Sequence, residues 1–290
     1  MLAWRLSISF VLIPLLIGLF VVDSRCGESA PVLLLVCLLL AWRGCWEMGQ
    51  LLSRRVESIS WNLTAWCSTG LIVVAWLPHW DLPNPASAAD IDPLGLAFAV
   101  AVLVLFLREA MRFEQPGMAL PALSAHVLIV GYVGLLLGIT AKLRWISPDG
   151  SYLALGSLVV GVKAGDVGGY TIGRLFGRAK LIPRLSPGKT RAGGFGALGG
   201  AALATWGYLE ASHGWLGTPP PPAWAAVCYG LLLGLVGLIG DLCESLIKRD
   251  VEAKDSAVLL PGFGGLLDLL DSVLYTGPVA LILWKMLPLS

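Results

Sequence analysis

Charge is scarce in this 290-residue chain, and that scarcity decides its broad class. Charged residues make up 13% of the sequence and hydrophobic residues 57%, and the mean hydropathy is +0.79. No stretch has the composition of a water-soluble domain, and no internal repeat is evident. These features predict a polytopic integral membrane protein. The net charge of +1 says little, and no nucleic-acid partner is expected.

Metal-binding patterns of histidine and cysteine are also missing. The chain has three histidines and six cysteines, and the cysteines lie in or beside apolar segments without paired spacing. We expect them to behave as small apolar residues, with neither disulfides nor a cysteine metal site. Zinc and copper, which favour such ligands, are therefore not expected as cofactors.

Long apolar windows recur along the whole chain, and several reach the ~18–20 residues that a spanning helix needs. We predict an all-α fold with about eight or nine transmembrane helices. The first window is interpreted as a retained helix because no small-x-small cleavage site precedes Cys26. The windows cover residues 6–22, 30–50, 63–80, 93–107, 119–141, 151–172, 192–210, 222–240 and 273–289.

Positive charge is distributed unevenly among the loops that would join these helices. With the N-terminus inside, thirteen Lys and Arg residues fall in or beside the even-numbered loops and three in the odd-numbered loops. The positive-inside rule then places the N-terminus and both densely charged loops, 173–191 and 241–272, in the cytoplasm, with the chain in the inner membrane. A site formed by residues of these loops would face the cytoplasm too. Loops 81–92 and 211–221 lack Lys and Arg, as expected of external connections. Arg54 and Arg108 are interpreted as charges that only set this topology.

The two halves of the chain differ in character. Residues 1–150 are predicted to form a scaffold of transmembrane helices, and residues 151–290 a transmembrane catalytic region. In the first half, Arg43 and Glu47 stand four residues apart in the second apolar window. We interpret them as a structural i,i+4 ion pair near the membrane boundary.

A glycine ridge opens the second half. Glycines recur at every fourth position from Gly161 to Gly177, a pattern that lets a neighbouring helix approach closely. Asp166, Tyr170 and Arg174 lie on one face of the same helix. Helix packing does not require a carboxylate inside such a span, so Asp166 is a candidate site residue.

A basic loop follows, with Ser186-Pro187-Gly188-Lys189-Thr190 just before the next apolar window. Backbone amides of a glycine-containing turn ahead of a helix, together with a lysine and hydroxyls, suit phosphate groups. The segment is not a P-loop, because Pro183 occupies the position of its first glycine. A topology determinant or a contact for anionic lipid is the alternative interpretation.

Carboxylates are concentrated near the end of the chain. On a helix, Asp241, Glu244, Ser245 and Lys248 would share one face, and Asp268 and Asp271 follow after a PGFGG break. Mg²⁺ prefers oxygen ligands and is usually held by one or two carboxylates plus substrate phosphates. The arrangement predicts a divalent-metal site, with nearby Lys and Arg neutralising phosphate charge.

These residues match a known signature. The segment SLIKRDVEAKDSAVLLPGFGGLLDLLDS resembles the C-terminal signature of the phosphatidate cytidylyltransferases, also called CDP-diacylglycerol synthases, which runs S-x-x-K-R-x4-K-D, then P-G-H-G-G, then D-R-x-D. GDVGGYTIGRLFG and LSPGKT are similar to two further elements of that family, so the resemblance covers about residues 160–275. Four positions depart from the pattern: Phe263 replaces its histidine, Leu269 its arginine, and Arg191 and Ala192 its Trp-Glu.

The resemblance implies a reaction of CTP with phosphatidate that yields CDP-diacylglycerol and pyrophosphate. It also implies Mg²⁺ held by Asp241 and Asp268, a second cation, with a monovalent ion as one option, and membrane lipids as partners. A homodimer is left open. Further site residues implied by the resemblance are Asp166, Asp255 and Asp271 as second choices for carboxylate ligands, and Ser186, Gly188, Lys189, Ser245, Lys248, Arg249 and Lys254 as phosphate contacts.

Several alternatives stay open on sequence alone. The chain could act on another lipid phosphate, or be a CTP-dependent lipid kinase. A CDP-alcohol phosphotransferase is disfavoured because the DG-x2-AR element is missing. A transporter would be expected to show inverted repeats. The departures at Phe263 and Leu269 are compatible with an inactive scaffold, and in an active enzyme they predict a slow cytidylyltransferase or a different lipid acceptor.

Overall fold

The computed structural model of the chain describes residues 14–80, 92–147, 152–257 and 264–289, and over these residues the protein is nearly all-α, as predicted. Phe263 lies outside the described residues. The helices are α1 (Pro14–Ser24), α2 (Pro31–Leu52), α3 (Trp61–Trp76), α4 (Pro93–Met111), α5 (Ala119–Ile129), α6 (Leu136–Ala141), α7 (Leu153–Phe176), α8 (Arg191–Leu216), α9 (Ala223–Asp250) and α10 (Leu267–Met286). A π-helical turn, Val130–Leu135, joins α5 to α6, and a 3₁₀ turn, Lys142–Trp145, follows α6.

Each predicted apolar window overlaps a helix where the structure describes it; residues 6–13 of the first window lie outside the described residues. Within the described residues, five helices are long and apolar enough to cross a membrane. The predicted total of eight or nine crossings is not established, because α3 has 16 residues and α7 includes Lys163, Asp166 and Arg174. The five candidate spans are Pro31–Leu52, Pro93–Met111, Ala119–Trp145, Ala223–Asp250 and Leu267–Met286.

The described residues divide into two compact units. The first comprises those of Met1–Ala141 together with Val251–Leu269, and the second those of Lys142–Asp250 together with Leu270–Ser290. In the first unit, helices α2 to α6 bury a core that includes Leu51, Ile72 and Leu105. The two units are defined by packing, whereas the predicted division at residue 150 assigns a scaffold role to one half and a catalytic role to the other. That assignment of roles stays a prediction.

The glycine ridge of α7 packs against α8, as its spacing predicted. On the ridge, a Cβ added to Gly165 would lie 3.3 Å from the carbonyl oxygen of Ala197, and one added to Gly169 would lie 3.3 Å from that of Gly193. At Gly168, beside the ridge, a Cβ would lie only 2.4 Å from the carbonyl oxygen of Gly196, so the two helices can approach this closely only with glycine there. The close packing fixes α7 beside the start of α8.

The basic loop between α7 and α8 is an antiparallel hairpin of β1 (Lys180–Ile182) and β2 (Ser186–Thr190). The SPGKT segment is therefore an extended strand, and its interpretation as a turn is wrong. The turn lies at residues 182–185, where the Leu185 N–H donates to the Ile182 carbonyl and Pro183 fixes the local backbone. The N–H of Gly193 donates to Thr190 Oγ1, which caps α8 directly after the strand.

Candidate active site

Three carboxylates converge in the second unit. Asp241 and Glu244 lie one turn apart on α9, and Asp271 lies on α10. One oxygen from each falls within 4.8 Å of the other two. Glu244 and Asp271 are buried, with 2% and 4% of their surface exposed, whereas the side chain of Asp241 is 36% exposed. The cluster thus has a closed side within the protein and an open side at Asp241.

Lysines surround this carboxylate cluster of Asp241, Glu244 and Asp271. Lys189 Nζ, from β2, lies 2.6 Å from Asp241 Oδ2, and Lys248 Nζ lies 2.5 Å from Glu244 Oε2. These pairs put a residue of the predicted phosphate-binding segment in direct contact with a predicted metal ligand.

Asp166 stands next to the cluster on α7. Its carboxylate pairs with Lys163 at 3.2 Å, and it also interacts electrostatically with Asp241 and Lys189. The structure therefore brings Asp166, Lys189, Asp241, Lys248 and Asp271 together within one unit, as the sequence predicted for a single site. With Glu244 and Lys163, the group contains four carboxylates and three lysines.

The electrostatics of the carboxylate cluster favour a bound cation. Two like charges about 4–5 Å apart repel by roughly 3–4 kcal/mol at an effective dielectric constant near 20. The lysines offset part of this repulsion, but one negative charge remains if all seven groups are ionised. Three carboxylate oxygens at this spacing are a donor set that Mg²⁺ accepts. Asp241, Glu244 and Asp271 fit such an ion.

Asp268 belongs to the first unit and has other contacts there. Its Oδ2 accepts hydrogen bonds from the N–H groups of Ser256 at 3.0 Å and Gly265 at 2.7 Å, and from the Ser256 hydroxyl at 2.9 Å. Three donors on one oxygen hold the segment before α10 in place. The assignment of Asp268 to the metal stays a prediction. Lys254 and Asp255, beside Ser256, are both exposed.

The other predicted contacts line the hairpin and α9. Ser186 and Ser245 are half-buried, and Gly188 is exposed. Arg249 Nε donates to the carbonyl of Leu185 at 3.4 Å, which connects the end of α9 to the hairpin turn. Leu269 lies in the first turn of α10, where the resembling family has arginine.

Sequence reasoning left out three residues that the structure makes prominent. Glu244 lies on the helix face predicted for it, but sequence reasoning assigns it no separate role. Lys163 stands three residues before Asp166, a spacing that predicts their pairing. Glu47 was interpreted only as the partner of Arg43. Arg108, interpreted as a charge that only sets topology, also has structural contacts: its side chain is 11% exposed, pairs with Glu109, and donates to the Ser58 carbonyl.

Comparison with known proteins places the chain in a family. The model of the cytidylyltransferase family matches residues 3–287. The chain belongs to this family. A phosphatidate cytidylyltransferase of Pseudomonas aeruginosa is 33% identical over 290 residues, which cover 98% of this chain and 97% of the relative. The resemblance predicted from the C-terminal signature is thus confirmed.

Other cytidylyltransferase relatives match over shorter stretches. A phosphatidate cytidylyltransferase of Mycobacterium leprae is 39% identical over 182 residues, 63% of this chain and 55% of the relative. The chain spans between 55% and 63% of the length of the mycobacterial relatives that it matches. The uncharacterized protein YnbB of Escherichia coli is 40% identical over 131 residues, 45% of this chain and 42% of that protein.

Proposed function

We propose that the chain is a phosphatidate cytidylyltransferase that converts CTP and phosphatidate to CDP-diacylglycerol and pyrophosphate. In this reaction an oxygen of the lipid phosphate forms a bond to the α-phosphorus of CTP. The bond from that phosphorus to the bridging oxygen of the pyrophosphate group breaks, and pyrophosphate leaves with the electron pair. No covalent enzyme intermediate is required.

The observation that carries the proposal is the carboxylate cluster with its lysines, in a chain that matches a named phosphatidate cytidylyltransferase over almost its whole length. Two polyanions must meet for cytidylyl transfer to occur, so the site needs positive charge. Lys189 and Lys248 carry part of that charge, and a metal ion held beside them by the carboxylates would supply the rest where phosphates would bind.

We propose that Asp241, Glu244 and Asp271 hold Mg²⁺. Bound there, the ion would offset charge on the attacking and leaving oxygens. Lys189 and Lys248 pair with Asp241 and Glu244. A cation held by these carboxylates would weaken both pairs, and the two ammonium groups would then be able to contact phosphate oxygens. A second, monovalent cation remains an expectation of the family resemblance. Turnover measured in KCl and in a salt of a bulky organic cation at equal ionic strength tests this expectation.

The hairpin suits the phosphates of the nucleotide. A Cβ added to Gly188 would meet no atom within 4 Å, and its φ is outside the left-handed region. Packing among the described residues therefore gives no reason for glycine at this position. A bare backbone does allow a phosphate to approach its N–H closely. Ser186, on the same strand, and Arg249, bonded to the hairpin turn, are proposed as further phosphate contacts.

We propose that about eight or nine of the apolar windows cross the inner membrane and that the N-terminus and the site face the cytoplasm. The support is the thirteen-to-three distribution of Lys and Arg between alternate loops. The lipid head group would then meet CTP at the cytoplasmic interface while its acyl chains stay in the bilayer. A homodimer is proposed as the oligomeric state, and light scattering of the detergent-solubilised protein tests it.

The experiment is an acceptor panel. Purified protein is incubated with CTP and Mg²⁺ and with phosphatidate, lysophosphatidate or a polyprenyl phosphate, and pyrophosphate release is measured. We expect release that requires phosphatidate and stops with EDTA. Release with only another acceptor would reassign the lipid substrate. Release with none of the acceptors would support an inactive scaffold or a transporter instead.

A further inference from the structure

Glu47, on α2 in the first unit, is a carboxylate with more contacts than its spacing from Arg43 predicted. Its side chain is completely buried, and Arg43 Nε donates to Oε1 at 2.8 Å, which confirms the predicted ion pair. The N–H groups of Leu266 and Leu267 also donate, each at 3.0 Å and each to a different carboxylate oxygen. An anion at the first turn of a helix satisfies N–H groups that have no partner within the helix. Glu47 thus caps α10 from 219 residues earlier in the chain.

Ser256 connects Glu47 to Asp268. Its hydroxyl lies 3.3 Å from Glu47 Oε2 and 2.9 Å from Asp268 Oδ2. The N–H groups of three successive residues, 265–267, all end on these two carboxylates. Residues 254–257 and 264–268, which we call the signature flanks, are therefore held by one network centred on a buried acid.

The Gly-Gly pair of the signature fits this network. A Cβ added to Gly265 would lie 2.1 Å from Ser256 Oγ and 2.5 Å from Glu47 Oε2. No side chain fits in that space, so position 265 must be glycine as long as Glu47 and Ser256 occupy it. Gly264 has φ +87°, which favours glycine, and its Cβ would lie 2.3 Å from Asp268 Oδ2. The glycines thus complement Glu47, Ser256 and Asp268.

We propose that Glu47 is a positioning residue for cytidylyl transfer. It acts through Ser256 and the first turn of α10 to fix the signature flanks, which carry Lys254, Asp255 and Asp268, and it touches neither substrate. The inference rests on the proposed function, and it assigns a part in the reaction to a residue of the predicted scaffold half.

The informative substitution is Glu47→Gln, which keeps the size of the side chain. The amide has one oxygen where the carboxylate has two, so an NH₂ group faces the N–H of Leu266 or Leu267. Two donors then oppose each other, and the first turn of α10 must shift. Misplacement of a catalytic segment by about 1 Å can cost about 10²-fold in rate. We expect kcat to fall 10- to 100-fold, with KM for CTP changed less than about threefold.

Asp23 offers a matched control in the same unit. It is 1% exposed and accepts hydrogen bonds from the N–H groups of Val32 at 2.7 Å and Leu33 at 3.1 Å, so it caps the start of α2 as Glu47 caps α10. Glu47 lies about 24 Å further along α2, at about 1.5 Å per residue. Both bonds end on Oδ1, which asparagine would keep, so the control is Asp23→Ala, which removes the cap without touching the signature flanks. It should lower thermal stability in detergent as Glu47→Gln does, but leave kcat of the folded protein unchanged.

The test combines kinetics with hydrogen–deuterium exchange on monodisperse wild type, Glu47→Gln and Asp23→Ala. Glu47→Gln should lower kcat selectively and speed exchange in both signature flanks, whereas Asp23→Ala should speed exchange only around the start of α2. Unchanged exchange at 264–268 in Glu47→Gln, or a kcat equal to that of Asp23→Ala, would overturn the proposal. If wild type transfers no cytidylyl group, the proposed function fails, and the exchange result alone decides whether Glu47 positions the segment.

Discussion

Replacing Asp271 by asparagine should change stability and activity in opposite directions. Asp271 is 4% exposed and lies within 4.8 Å of oxygens of both Asp241 and Glu244. Without a metal ion, the negative charge of Asp271 is repelled by the carboxylates of Asp241 and Glu244. If a metal ion is bound, the same carboxylate would serve as one of its ligands. A residue present only for structure would have no reason to destabilise the metal-free protein.

The magnitude follows from the spacing. At 4.8 Å and an effective dielectric constant near 20, each carboxylate pair repels by about 3 kcal/mol. Lys189 and Lys248 offset much of this, so we expect Asp271→Asn to stabilise the metal-free protein by about 1–2 kcal/mol. Loss of a ligand that acts on transition-state charge should lower turnover by at least about 10²-fold. Asp241→Asn should have a comparable effect on turnover, and the two losses should not add.

The assay is thermal unfolding in detergent with EDTA and then with Mg²⁺, together with turnover at saturating Mg²⁺. Wild type should be stabilised by Mg²⁺ more than the Asp271→Asn variant. Asp268→Ala is the comparison variant, because it removes the oxygen that accepts three hydrogen bonds, and this loss should lower stability in EDTA. A variant Asp271→Asn that unfolds earlier in EDTA and keeps near-wild-type turnover would refute a metal site at this cluster.

Three further predictions concern single positions. Lys189→Ala should raise KM for CTP or lipid phosphate at least tenfold. Arg54→Ala, at an exposed site, should leave KM within about twofold of the wild-type value. An equal rise in KM for both variants would mean that the basic loops act through the membrane surface. Gly196→Ala should destabilise the protein by about 1–3 kcal/mol and lower its unfolding temperature, because the added Cβ would lie 2.5 Å from the Gly168 carbonyl oxygen. Gly199→Ala, whose Cβ would meet no atom within 4 Å, should leave the unfolding temperature unchanged. Equal unfolding temperatures for the two variants would contradict the helix contact. Leu269→Arg should raise turnover on phosphatidate, and a decrease would show that this departure does not weaken the site.

Much of the helical architecture could be predicted from the sequence because it depends on local composition. Apolar windows of sufficient length gave the positions of the helices, and glycines at every fourth position predicted the α7–α8 contact. The spacing of Asp241 and Glu244 put both on one face of α9, where the structure has them. These features repeat with the period of a helix and can be seen within about thirty residues.

The contacts that sequence reasoning missed join residues far apart in the chain. Glu47 accepts from N–H groups 219 and 220 residues away, and nothing local distinguishes it from the ordinary i,i+4 partner of Arg43. The SPGKT strand was missed because proline and glycine suggest a turn, while pairing with β1 across Pro183 determines its extended form. Asp268 looked equivalent to Asp271 three residues later, and only the position of Ser256 shows that its oxygen holds backbone donors.

The most direct test of the central claim follows the two ends of CTP separately. Purified protein is incubated with Mg²⁺, phosphatidate and CTP labelled either at the α- or at the γ-phosphate, and label in the extracted lipid is counted. Metal-dependent cytidylyl transfer predicts lipid label from α-labelled CTP only, lost with EDTA and reduced at least about 10²-fold by Asp241→Asn. Lipid label from γ-labelled CTP would identify a kinase, and no lipid label from either would contradict the account.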